Sequence, residues 1–187
     1  MRRQGRLLLR IVTFVLAATA PFALQIDDLF AGPLRVAALA TAPKTEAAKS
    51  APIIGAAKAI EGDLLEVAGK RVRLYGIDAP EIAQSCRVMI FAWGCGAEAQ
   101  KMLSALVAER TVTCTELTRD VVGMPAALCR TESVQLNETM VRIGMALASP
   151  SEPRTFATEE AAASREGVGL WRSSFDKPWE WRAANAK

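Results

Sequence analysis

The chain has 187 residues, 51% of them hydrophobic and 23% charged, enough for one globular domain with a tail. Its net charge of +3 is unevenly placed: residues 1–50 hold seven Lys/Arg against three Asp/Glu, and residues 51–187 hold 16 against 17. The folding portion therefore lacks the basic footprint that phosphate backbones usually demand. With no histidine in the chain, acid–base work falls to carboxylates and charge stabilisation to arginine or a metal.

In chain order, Arg2, Arg3, Arg6 and Arg10 precede an apolar run from Ile11 to Leu24. Fourteen residues suit the core of a secretory signal better than a bilayer span, which takes about 20. Ala18-Thr19-Ala20 offers a small-x-small cleavage site. The alternative is an uncleaved anchor in the inner membrane that also takes in Leu7 to Leu9. Residues 1–24 are thus read as signal peptide or membrane anchor. Residues 25–52 are read as a flexible tether, because Ala37 to Ala51 is rich in Ala, Thr, Pro and Lys with no aromatic. The expected destination is outside the cytoplasm, periplasmic or secreted, with membrane anchoring as the alternative.

The domain is expected over 53–187, strands first and helices after. Ala57 to Ile60, Leu64 to Val67 and Arg71 to Tyr75 read as strands, the last two joined by the turn Ala68-Gly69-Lys70. In the third, Val72 and Leu74 face a core while Arg71, Arg73 and Tyr75 point away. Gly96 to Arg110 is predicted helical, with Ala99, Met102, Leu103, Leu106 and Val107 on one stripe. Thr111 to Glu116 and Ala126 to Arg130 are strands around a turn. Asn137 is a candidate N-cap for a helix to about Leu147. A third helix, from about Thr155 to Glu166, stops at Gly167. Trp171, Phe175, Trp179 and Trp181 are expected to pack the tail onto the rest. This order predicts an α+β domain: a five-stranded OB-fold β-barrel with three packed helices.

Four cysteines, Cys86, Cys95, Cys114 and Cys129, allow three disulfide connectivities. Pairing of neighbours, Cys86–Cys95 and Cys114–Cys129, closes short loops and suits an oxidising compartment. A zinc site is the weaker reading, since there is neither a Cys-x-x-Cys spacing nor a histidine.

The chemistry concentrates in Arg71-Val72-Arg73-Leu74-Tyr75-Gly76-Ile77-Asp78-Ala79-Pro80-Glu81, with Asp63 ten residues before Arg73. Taken singly, Asp63 and Asp78 are ordinary turn carboxylates, and Arg73 with Glu81 is an ion pair. Taken together with Gly62, Gln84, Trp93, Gly96, Asn137, Val141 to Ala146, Gly169-Leu170-Trp171 and Pro178-Trp179-Glu180-Trp181-Arg182, the order and spacing resemble the staphylococcal-nuclease-like (thermonuclease) family from about residue 57 to 182.

The resemblance implies an OB barrel and a calcium-dependent phosphodiesterase hydrolysing DNA or RNA. Asp63 and Asp78 match the carboxylates that hold one calcium ion, and the Ala79 carbonyl matches a backbone ligand beside them. Calcium takes six to eight oxygens, so such donors suffice with water. Glu81 matches the group that orients or deprotonates the attacking water, and Arg73 one of two arginines that grip the phosphate.

The second arginine is where this chain departs. Asp120-Val121-Val122-Gly123-Met124 puts Met124 at its position, and a methionine neither carries charge nor donates a hydrogen bond. Arginine fingers elsewhere in phosphoryl transfer are worth about three to five orders of magnitude, so activity is expected to be impaired. Two other readings stay open: a non-catalytic binding module, and a disulfide-braced envelope protein whose partner is another protein. The expected partners are single-stranded DNA or RNA for the enzyme, and the expected state is a monomer.

Overall fold

The computed structural model describes residues 50–152 and 155–186. The expected signal or anchor segment and nearly all of the tether lie outside the described residues. In chain order the elements are β1 (Ile53–Ala59), β2 (Leu64–Val67), β3 (Lys70–Leu74), β4 (Ile77–Asp78), β5 (Cys86–Val88), β6 (Phe91–Trp93), α1 (Cys95–Val107), β7 (Thr111–Arg119), β8 (Pro125–Arg130), α2 (Leu136–Arg142), β9 (Leu147–Ala148), α3 (Ala157–Glu166) and α4 (Pro178–Asn185), with a 3₁₀ turn at Gly169–Arg172 between the last two helices.

Alternation of side chains along the strands builds the barrel, in the order β1-β2-β3-β8-β7. Leu65, Val67, Val72, Leu74, Val112, Cys114, Ala127 and Cys129 are buried in its interior. Arg71 and Arg73 alternate outward from Val72 and Leu74, as the pattern predicts. Closure comes from β1 pairing antiparallel to β7, Ile53 opposite Cys114. The β3–β8 seam is parallel, with Arg73 opposite Ala126. Because β7 and β8 pair antiparallel with Cys114 directly opposite Cys129, their disulfide staples neighbouring strands. The second disulfide, Cys86–Cys95, ties the small β5–β6 hairpin to the first residue of α1. Both pairings follow the neighbour pattern.

Helix α1 lays Ala99, Leu103 and Val107 on the core, with Met102 and Leu106 partly buried at its edge. Helix α2 differs from expectation at both ends. Its N-cap is Gln135, whose side chain accepts from the Glu138 N–H. Asn137 is fully buried and works on the barrel seam instead: its Nδ2 donates to the carbonyls of Tyr75 (2.8 Å) and Ala127 (3.0 Å), and its Oδ1 accepts from the Cys129 N–H (3.0 Å). The helix stops at Arg142 rather than near Leu147. Gly144 takes φ +70°, and a Cβ there would stand 2.4 Å from the Val168 carbonyl oxygen, so the chain turns against the 168–170 segment. Leu147–Ala148 then pairs with Ile77–Asp78 as strand β9 against β4.

Helix α3 ends as expected at Gly167, with φ +62°. Among the described residues the tail adds a fourth helix to the three expected. Pro178 stands in the first turn of α4, where its missing N–H is no loss, and Glu180 completes a capping box with Lys177. Trp171, Phe175 and Trp179 pack beside Cys86, Cys95, Leu147 and Leu170 in a second small cluster, so these aromatics do hold the tail in place. No helix among the described residues is long and apolar enough to cross a membrane.

Candidate functional site

Three short connections converge on one polar cavity of about 390 Å³. Asp63 closes the turn between β1 and β2, and its carbonyl accepts the Leu74 N–H (2.8 Å), which locks it beside β3. Gly62 permits this turn, since a Cβ there would meet the methyls of Ala79 and Ala99 at 2.7 Å. Arg73 emerges from β3 and Asp78 from β4. Glu81 follows in the 79–85 loop, pressed against the first turn of α1. A Cβ on Gly96 would lie 1.7 Å from the Glu81 carbonyl oxygen, so only glycine lets that helix start so close.

Arg73 Nη1 donates to Asp63 Oδ2 (3.1 Å). On the other side, Arg182 from α4 spans Asp78, donating through Nη2 to Oδ2 (2.6 Å) and through Nη1 to Oδ1 (2.8 Å). The same Nη1 donates to Glu81 Oε1 (2.8 Å). These hydrogen bonds, that to Asp78 first, hold Arg182 more firmly protonated than usual against its partial desolvation. Glu61, Ser149, Ser151 and Glu152 complete the polar wall. The structure thus brings Asp63, Arg73, Asp78 and Glu81 together, while Ala79 is buried behind them. Met124 is half-buried at the β7–β8 turn and does not line the cavity, and Val121 and Val122 beside it are exposed.

Sequence reasoning missed two residues here. Arg182 is 101 positions from Glu81, and the sequence gives it no role beyond its place in the family-like order. Gln84 is the other. It is buried, its Oε1 accepts from the Glu81 N–H (3.3 Å), and its Nε2 donates to the Asp176 carbonyl (2.7 Å). It therefore couples the Glu81 loop to the segment that launches α4. The only sequence signal for either was the position of Gln84 and Trp181-Arg182 within the family-like order.

Asp63 carries the largest electrostatic tension among the acids. Burial pushes its pKa from 3.8 to about 7; Arg73 opposes the shift, Asp78 and Glu61 add to it, and the Ala79 backbone N–H opposes it. Desolvation thus outweighs the ion pair. Since the folded value lies above the unfolded one, the native state keeps this proton across the interval between them. The stability so contributed is full below about pH 3.8 and is lost as pH rises through about 7. Asp63→Asn cannot ionise, so in metal-free buffer its Tm relative to the unmodified protein should climb from pH 4 to 7 and then level off. Parallel Tm curves for the two proteins would refute the assignment.

A closed five-stranded barrel with an acid- and arginine-lined cavity at the β1–β2, β3–β4 and α1 junction is an OB-type fold carrying one charged site. Residues 71–173 match the family model described as staphylococcal nuclease homologue, and the chain belongs to that family. Among curated relatives, the succinoglycan biosynthesis protein ExoI of Rhizobium meliloti (strain 1021) is 34% identical over 132 residues, 68% of this chain and 69% of that protein. A protein of Escherichia coli O157:H7 named as an uncharacterized endonuclease is 31% identical over 134 residues, 67% of this chain and 81% of its own length. The domain is therefore a nuclease-like one, and its two disulfides fit an oxidising environment.

Proposed function

We propose that the protein is an exported, calcium-dependent phosphodiesterase that cleaves single-stranded DNA or RNA, slowly for its family. The observation that carries this reading is the convergence of Asp63, Arg73, Asp78 and Glu81 on one cavity. Glu81 takes the proton of the attacking water. Arg73 steadies the phosphoryl oxygens as charge builds on them.

The donor set fits a hard cation. Glu61, Asp63, Asp78, Glu81 and Glu152 line the cavity against Arg73 and Arg182, an acid surplus that would repel a phosphodiester unless offset. Asp63 and Asp78, with the Ala79 carbonyl, would hold the ion, which would supply Lewis-acid polarisation of the phosphate. Among the described residues no three acidic side chains already form a metal-holding group. Asp78 is spanned by Arg182, so that pairing must loosen for Asp78 to serve as a ligand.

Export rests on the basic and apolar leader and on the two disulfides. The domain is assigned to residues 53–187, after the leader and tether, and acts as a monomer. A second reading, a binding module without turnover, is favoured by Met124 lying outside the cavity beside exposed Val121 and Val122.

One assay separates the two. The purified, oxidised protein is incubated with a labelled single-stranded oligonucleotide in calcium and then in chelator. Calcium-dependent cleavage is expected. Intact oligonucleotide that is nevertheless bound would sink the enzyme in favour of the module.

A further inference from the structure

Resting on the nuclease reading, we propose that Arg182 is a substrate-contacting residue, supplying with Arg73 the two guanidiniums that hold the phosphodiester. A guanidinium carries five N–H donors. Arg182 commits three of them, both on Nη1 and one on Nη2, to Asp78 and Glu81. The second Nη2–H and the Nε–H are free of any partner in the described structure. Arg73 commits one donor, to Asp63. The two side chains are 44% and 38% exposed, so their free donors reach solvent. They are also the only cationic side chains among the described residues that line the cavity. A phosphodiester offers two non-bridging oxygens, and planar guanidinium donors match that geometry better than a point charge does.

Arg182 Nη1 already touches Glu81 Oε1 and its free Nε–H and Nη2–H edge is on the other side of the same guanidinium, so an anion held there would share one side chain with the carboxylate that activates water. The helix that carries Arg182 is anchored independently of its pairing with Asp78. Gln84 ties the Glu81 loop to Asp176, two residues before α4, and Trp179 packs α4 beside the Cys86–Cys95 disulfide. The fold thus brings a guanidinium from the far end of the domain into a cavity that Met124 does not enter.

The competing role is a mere counter-ion for Asp78 and Glu81. The full-length oxidised protein decides between them, with Arg182→Gln and Arg182→Lys made both alone and on a Glu81→Gln background that binds without cutting. Arg119→Gln, at the exposed end of β7, controls for loss of any one positive charge. The probe is a labelled single-stranded oligonucleotide, titrated across salt in calcium and followed for cleavage in single turnover.

Arg182→Gln is expected to lower single-turnover cleavage by about 10² to 10³. On the binding background it should weaken affinity about tenfold and flatten the log–log salt slope by about 0.7, the value for one single-strand phosphate contact. Arg119→Gln should do neither. Arg182→Lys keeps the charge but loses the fork, and should cost at least tenfold in cleavage with an unchanged Tm. If Arg182→Gln folds yet leaves affinity and slope at the unmodified values, Arg182 is only a counter-ion and the proposal falls. If Arg182→Gln does not fold, full activity of Arg182→Lys overturns it equally. If the unmodified protein binds but never cuts, the nuclease reading fails alone, and the loss of binding in Arg182→Gln still upholds the contact. If it neither binds nor cuts, both fail.

Discussion

Glu81→Gln is expected to lower calcium-dependent cleavage by about 10² to 10⁴, the range that a positioned general base supplies. The amide keeps an oxygen able to accept from Arg182 Nη1, which now meets Glu81 Oε1 at 2.8 Å, so the local bonding survives. What is lost is the ability to take a proton. The reading is single-turnover cleavage of a single-stranded oligonucleotide, set beside a thermal melt. A variant that melts with the unmodified protein and cuts at its rate would remove Glu81 from the chemistry. With no histidine in the chain, that outcome would pass the base role to another carboxylate of the cavity.

The second large effect falls on stability. Asn137→Ala should cost about 3 kcal/mol or more, since it orphans buried polar groups at about 1–3 kcal/mol each. The Cys129 N–H loses its acceptor and the Tyr75 carbonyl loses a donor. The Ala127 carbonyl is less affected, because the Tyr75 N–H also donates to it at 2.9 Å. These groups lie where β3, β8 and α2 meet, so the loss acts on the barrel seam. Denaturant titration should show a lower midpoint at unchanged m, and Tm should fall by about 10 °C. A shift under 1 kcal/mol would mean that water replaces the amide at no cost.

Much of the barrel was readable from local pattern. The periods of Leu64 to Val67 and Arg71 to Tyr75 correctly placed two strands and the outward course of Arg73. The stripe from Ala99 to Val107 correctly placed α1. Both patterns state which side chains leave water, and burial is what selects the period. The neighbour pairing of the cysteines succeeded for a similar reason, since a hairpin puts Cys114 opposite Cys129.

The errors arose where a residue serves a distant partner. Asn137 has the chemistry of an N-cap, yet its amide is spent on Tyr75, Ala127 and Cys129, across up to 62 positions. Helix α2 looked longer because periodicity cannot register that Gly144 must turn left-handed under Val168. Lys177-Pro178-Trp179-Glu180 did carry a helix start, the proline in the first turn and the box glutamate, but the aromatics drew the reading toward packing alone.

By itself, the sequence determined the chemical inventory: no histidine, an Arg73–Asp78–Glu81 cluster with Asp63 upstream, methionine at 124, and four cysteines spaced for short loops. It also determined the barrel class, through alternation and turn residues that act over a few positions. Only the tertiary structure decided that Asp63 is desolvated enough to hold its proton to about pH 7, because burial depends on what the rest of the chain covers. Only it decided that Arg182 meets Asp78 and Glu81, since a contact across 101 residues depends on where barrel, disulfide and last helix come to rest.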